Sequence, residues 1–238
     1  METLSKNKIK WIKSLRLKKN RSEADVFIVE GQKMVDELIQ FWPENIDFIC
    51  TSRSSTKFDG MVYHTDEKTI KELSTLTTPN EVLAVVKKPT FKSTKARFIL
   101  ALDGIQDPGN LGTIIRTADW FGVDQIVCSK GTVDMFNPKV IQSSMGSLFR
   151  VNIMYVDLET YLKQTNLPIY GALLEGSSIY TTPLKKEGVI VMGNEGNGIS
   201  TEIKALIQYP IHIPKHGKAE SLNVSIATGI ILSEFKRV

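Results

Sequence analysis

Hydrophobic and polar positions follow two rhythms along this chain: short aliphatic runs, and longer stretches with an apolar residue every three or four positions. The runs Val26 to Val29, Ile46 to Cys50, Met61 to His64 and Glu81 to Val86 read as strands. Gly31 to Phe41 and Glu67 to Leu76 read as amphipathic helices between them. This alternation predicts a small α/β domain of about 90 residues. Lys87 to Lys95, with Pro89, Ser93 and Thr94 among lysines, reads as a linker.

From Ala96 the alternation resumes with strands that are almost wholly apolar. They are Phe98 to Leu102, Gln125 to Cys128, Val151 to Tyr155, Ile169 to Leu174, Val189 to Met192 and Ile211 to Ile213. Helices are predicted near Leu111 to Phe121, Pro138 to Ser144 and Leu222 to Phe235. Strands of this kind separated by helices define a parallel sheet covered on both faces, whose ligands bind beyond the carboxyl ends of the strands. The predicted organisation is therefore residues 1–90 and residues 96–238, without internal repeats.

Composition narrows the class. The chain has 238 residues, 42% hydrophobic and 24% charged, with a formal net charge of +4, an ordinary globular balance. No apolar stretch approaches the roughly 18 residues of a membrane span, and the lysine-rich start does not resemble a secretory signal. Cys50 and Cys128 each lie inside a predicted strand, which argues against a disulfide framework and for a reducing cytoplasm. Charge is uneven: the first 95 residues carry 17 basic and 13 acidic residues, the remainder 13 of each. Within residues 1–22, Lys6, Lys8, Lys10, Lys13, Arg16, Lys18, Lys19 and Arg21 face one acid, Glu2. Trp11, Ile12 and Leu15 recur among them at helical spacing. A polyanion-binding arm and a solvated first helix both fit that pattern.

Three glycine-rich, polar segments fall at predicted carboxyl ends of strands. Asp103-Gly-Ile-Gln-Asp-Pro-Gly-Asn-Leu-Gly-Thr-Ile-Ile-Arg-Thr-Ala118 places Asn110 near a helix start and Arg116 further in, where a guanidinium at a cleft suits phosphate or carboxylate. Gly193-Asn-Glu-Gly-Asn-Gly198 surrounds Glu195 with glycines, in a spacing that is neither a Walker loop nor a Rossmann fingerprint. Ile213-Pro-Lys-His-Gly-Lys-Ala-Glu-Ser-Leu-Asn-Val-Ser225 brings Ser221 and Asn223 to the mouth of the last helix, where a simple capping role is the alternative.

In sequence and order these segments resemble the motifs of the SpoU (TrmH) family of SPOUT methyltransferases, over Phe98 to Phe235. Arg21 to Gln40, with Phe-Ile-Val-Glu-Gly-Gln-Lys, is similar to that family's N-terminal substrate-binding domain, a small ribosomal-protein-like RNA-binding fold. The resemblance implies an α/β parallel-sheet SPOUT domain with a C-terminal trefoil knot, a homodimer, and methyl transfer from S-adenosyl-L-methionine to an RNA ribose 2′-hydroxyl. It favours rRNA over tRNA and calls for no metal and no DNA. It assigns Asn110, Arg116, Glu195, Ser221 and Asn223 to catalysis, and Gly193, Ile213 and Leu222 to the cofactor. The alternatives are base methylation of RNA and a non-catalytic RNA-binding assembly factor.

The remaining candidates are weaker. His64 and His212 sit in predicted strands without ligand-spaced companions, and for His216, in the third segment, contact with a substrate is the less favoured reading. Trp11 among its lysines could stack on a base, whereas Trp42 and Trp120 are expected in the core.

Overall fold

The computed structural model describes residues 4–54, 57–91 and 95–237; the first three residues of the basic arm and the centre of the expected linker, 92–94, lie outside them. Along the chain run α1 (Lys6–Ser14), α2 (Lys18–Ala24), β1 (Val26–Glu30), α3 (Gln32–Phe41), β2 (Ile46–Thr51), β3 (Val62–His64), α4 (Glu67–Leu73) and β4 (Val82–Lys87). There follow β5 (Phe98–Asp103), α5 (Pro108–Trp120), β6 (Gln125–Ser129), α6 (Pro138–Ser144), β7 (Asn152–Val156) and α7 (Leu158–Gln164). The last elements are β8 (Ile169–Ser178), β9 (Gly188–Gly193), α8 (Thr201–Lys204), β10 (Tyr209–His212) and α9 (Val224–Phe235).

These elements form two compact units. One takes in the chain up to Thr90 together with Asp134–Arg150; the other takes in Phe91–Val133 and the chain from Val151 onward. The expected boundary near residue 90 is thus one of three places where the chain passes between units.

In the first unit the sheet order is β1-β4-β2-β3, with β4 antiparallel to β1 and β2 and β3 parallel to β2. Ile12 and Leu15 pack with Val26, Ile28, Phe48, Leu83 and Val85, so the basic arm's apolar stripe is core. Its Trp11 packs against Phe48, with ring centroids 6.3 Å apart. Lys8 bonds the Tyr63 hydroxyl at 2.7 Å and lies over the Phe48 and Tyr63 rings, a cation–π clamp on α1. On the inserted segment, Phe136 stacks on buried Phe27 at 4.5 Å, and Asp134 pairs with Arg21 at 2.7 Å. The Arg21 side chain is only 3% exposed and also donates to the Leu15 and Arg16 carbonyls. Deleting either charge of such a pair leaves the other buried and unpaired, which costs several kcal/mol, on the order of 3–5.

In the second unit all six strands are parallel, in the order β10-β8-β9-β5-β6-β7. Val189, Ile190, Val191, Leu100 and Ala101 in the central pair are fully buried, as the unbroken apolar strands predict. Asp103 pairs with Gly193, so the carboxyl ends of β5 and β9 stand level. Asp107, Asp157 and Asn223 cap α5, α7 and α9 through their side chains. The Thr160 hydroxyl and amide hold the Asp157 carboxyl below its ordinary range. Cys50 and Cys128 lie buried in β2 and β6, and burial pushes the Cys50 thiol up to about 12 and Cys128 upward as well. Neither is a nucleophile at neutral pH.

Several expectations need correction: Trp42 is half-buried with its ring edge-on to Phe149 at 5.1 Å, β8 runs on past Leu174 to Ser178, and β10 is Tyr209–His212 instead of Ile211 to Ile213. Trp120 is not core: it is 84% exposed, at the end of a solvent-facing stripe on α5 that includes Thr113 and Arg116. Helix α4 stops at Leu73 instead of Leu76, because the Ser74 hydroxyl and the Thr75 amide and hydroxyl bond the Glu30 carboxylate and draw the chain out of the helix.

Candidate active site

The three glycine-rich segments meet at the carboxyl edge of the parallel sheet. Glu195, in the turn after β9, accepts from the Gln106 and Asp107 amides at 3.4 and 3.3 Å and from Asn110 Nδ2 at 3.1 Å. Asn110 Oδ1 in turn accepts from Asn223 Nδ2 at 2.9 Å. Asn223 Oδ1 accepts from the Ser225 amide and hydroxyl and the Ile226 amide, capping α9. One chain of side-chain hydrogen bonds therefore ties β5–α5, β9–α8 and β10–α9 together.

The chain also fixes the polarity of both amides. The Asn223 oxygen is committed to the helix cap, so its nitrogen faces Asn110; the Asn110 oxygen is thereby used, and its nitrogen faces Glu195. Each amide keeps one N–H to spare and offers a ligand a donor. Glu195 thus receives three donors from the residues that open α5.

Arg116 and Ser221 stand apart from this chain. Both are exposed, and among the described residues neither side chain makes a hydrogen bond or an ion pair. Arg116 lies on the solvent-facing stripe of α5, on the side opposite buried Leu111, Ile114, Ile115 and Ala118.

Of the residues expected at the cofactor, Gly193 ends β9 where no side chain fits: a Cβ would stand 2.3 Å from the Gly198 carbonyl carbon and the Ile199 nitrogen. Its lack of a side chain lets the turn close, with Asn194 and Gly198 exchanging backbone bonds at 2.9 and 3.0 Å. Ile213 follows β10 and is part-buried, while Leu222 is 49% exposed. Between them, residues 214–222 form no backbone hydrogen bond among the described residues. Just before them, the buried Nδ1 of His212 also lacks a protein partner. A stretch of free amides and carbonyls beside an orphaned ring nitrogen fits a ligand held largely by backbone groups, as an adenosine-containing cofactor is.

His64 Nδ1 engages the Arg53 carbonyl, and His216 is exposed. Residues the sequence reading passed over also brace the site. Asp103 accepts from the Ser200 amide and hydroxyl at 2.8 and 2.7 Å, and Asn194 Nδ2 donates to the Gly104 carbonyl at 2.7 Å. The signal for Asn194 was present: an Asn opening a glycine-rich turn bonds the backbone two residues on.

A six-stranded parallel sheet with polar loop residues gathered at its carboxyl edge, accompanied by a small mixed-sheet unit, is an arrangement this chain shares with solved proteins described as RNA methyltransferases. A TrmH-family protein from Porphyromonas gingivalis is 40% identical with a TM-score of 0.89, the alignment covering 98% of each chain. An AdoMet-bound rRNA methyltransferase from Sinorhizobium meliloti is 30% identical with a TM-score of 0.87, covering 99% of this chain and 96% of that one. Residues 97–233 match the SpoU rRNA Methylase family and residues 6–84 the MRM3-like substrate binding domain. The chain belongs to the SpoU family. Among its relatives, the 23S rRNA (guanosine(2553)-2'-O)-methyltransferase RlmP of Bacillus subtilis is 32% identical over 98% of this chain and 97% of its own.

Proposed function

We propose that the protein methylates a ribose 2′-hydroxyl of ribosomal RNA, using S-adenosyl-L-methionine. The observation that carries this reading is the Glu195–Asn110–Asn223 chain, which joins the three family motifs at the sheet edge where ligands of parallel α/β folds bind. Relatives acting on 23S rRNA, among them the Bacillus subtilis enzyme, favour ribosomal RNA as the substrate.

When bound, the cofactor supplies a methyl group on a sulfonium, and transfer to the hydroxyl oxygen leaves a neutral thioether and releases the hydroxyl proton. Gly193, Ile213 and Leu222 hold it in this reading, through the backbone groups of their two loops. The protein's contribution is alignment, which in favourable systems lowers a barrier by roughly 7–11 kcal/mol. The spare N–H groups of Asn110 and Asn223 face the ribose and stabilise negative charge growing on its oxygen. A guanidinium is a poor proton acceptor near neutrality, so Arg116 binds the target phosphate and polarises the hydroxyl, the proton passing to phosphate or water. Ser221 hydrogen-bonds beside the same hydroxyl.

The same reading gives residues 1–90 the task of binding RNA and residues 96–238 that of catalysis. It also includes a C-terminal trefoil knot, a homodimer through the catalytic part and a cytoplasmic location. Family membership supports the knot and the dimer. For location, no helix among the described residues is long and apolar enough to cross a membrane.

The test is incubation with methyl-labelled S-adenosyl-L-methionine and unmodified ribosomal or transfer RNA transcripts, followed by alkaline hydrolysis. Label in alkali-resistant dinucleotides from the ribosomal transcript is the expected result. Label in mononucleotides would mean base methylation, and no label from any RNA or ribosomal particle would overturn the enzymatic reading.

A further inference from the structure

We infer that Asn194 is a positioning residue for the transfer, holding the loop that receives Glu195 and, through it, Asn110. The inference rests on the reading above and names a residue outside the set assigned to catalysis or cofactor there. Asn194 uses both ends of its side chain. Nδ2 donates to the Gly104 carbonyl at 2.7 Å, and Oδ1 accepts from the Gly196 and Asn197 amides at 2.9 and 3.0 Å. Its backbone closes the turn on Gly198 at 2.9 and 3.0 Å.

Gly104, with φ of +73°, opens the loop that carries Gln106 and Asp107, whose amides bind Glu195. Adjacent residues thus grip one loop with opposite polarity, Asn194 donating to a carbonyl and Glu195 accepting from two amides. The Asn194 contact is the shorter, at 2.7 Å against 3.3 and 3.4 Å, and it anchors the loop from the β9 side, while Ser129 Oγ accepts from the Gly104 amide at 2.9 Å and the Val133 amide bonds the Ile105 carbonyl at 2.8 Å from the β6 side. Only an amide of this length serves both partners. Aspartate would keep the acceptor but set a carboxylate oxygen against the Gly104 carbonyl, and alanine would release both sides.

The consequence for chemistry is leverage. Near-attack geometry is sensitive enough that a displacement of about 1 Å can cost 100-fold in rate, and Asn110 inherits any shift of Glu195. Asn194→Ala and Asn194→Asp are therefore expected to lower kcat about 10- to 100-fold with the KM for RNA changed less than about twofold. If Asn194 acts through Glu195, the losses do not multiply: Asn194→Ala/Glu195→Ala is no slower than the worse single variant.

The experiment is single-turnover methylation by wild type, the single variants and the double variant, together with hydrogen exchange at the amides of residues 106, 107, 196 and 197. Loss of protection at both pairs in Asn194→Ala, with non-additive kcat, is the expected result. Retained protection at 106 and 107, multiplicative losses, or a kcat within twofold of wild type would each overturn the inference. The exchange readout does not depend on methyl transfer, so a wild-type protein that labels no RNA sinks the functional reading, while retained or lost protection at 106 and 107 in Asn194→Ala still decides whether Asn194 holds the loop.

Discussion

Two loops at the same sheet edge are built in opposite ways. Residues 193–200 close on themselves through the Asn194–Gly198 pairing and are stitched to β5 and its following loop by Asn194, Glu195 and Ser200. Residues 214–222, of similar length, have no backbone hydrogen bond to another described residue. Every ordered residue carries an entropic cost of roughly 1–2 kcal/mol, which the first loop offsets internally. The second leaves its polar groups for whatever it binds. In the proposed site, one wall is finished and the other is not, so the Asn110 and Asn223 amides assigned there to catalysis stay in place while the second loop is left to adapt.

The largest effect is expected from breaking the finished wall. Gly193→Ala puts a methyl 2.3 Å from the backbone of Gly198 and Ile199, a strain worth about 1–3 kcal/mol. Urea unfolding should show that loss, and cofactor titration should show weakened binding; an unchanged midpoint would mean the turn has room to shift. Next comes the junction of the two walls, Asn223, which both caps α9 and meets Asn110. Asn223→Ala should lose about 1 kcal/mol of stability together with activity. Asn223→Asp should recover the cap but not the activity, because the donor to Asn110 is gone. Equal recovery of both by aspartate would reduce Asn223 to a cap. The smallest expected change is in hydrogen exchange of the unmodified protein: amides 215–222 exchange freely and gain protection on adding S-adenosyl-L-methionine, while the bonded amides of 194, 196, 197, 198 and 200 start protected and change little. Protection of 215–222 without cofactor would erase the contrast.

Much of this was legible in the sequence. Apart from β10 and the polar end of β8, the described strands follow its apolar runs, α6 spans the predicted residues, and the three motifs come together through Asn110, which bonds Glu195 and Asn223 from 85 and 113 positions away. What escaped was allegiance. The period of α6 shows that Val140 and Ile141 are buried, but amphipathicity identifies a face and not the surface it meets, so its membership of the first unit was invisible. Trp120 misled because its apolar character outweighed its place on the solvent stripe with Thr113 and Arg116. Helix α7 was missed although Asp157, whose side chain takes the Thr160 amide, is an ordinary start signal. The second loop's lack of internal bonds has no counterpart in composition at all.

The membership of Asp134–Arg150 in the first unit sets an order of events during synthesis. A chain emerging from the ribosome at about 5–20 residues per second usually completes its leading domain first. Here Phe27 awaits Phe136 and Arg21 awaits Asp134, so the leading unit stays unfinished until more than forty residues of the other have emerged. The two parts mature together, and a nascent chain paused near residue 100 holds a buried-to-be arginine without its carboxylate.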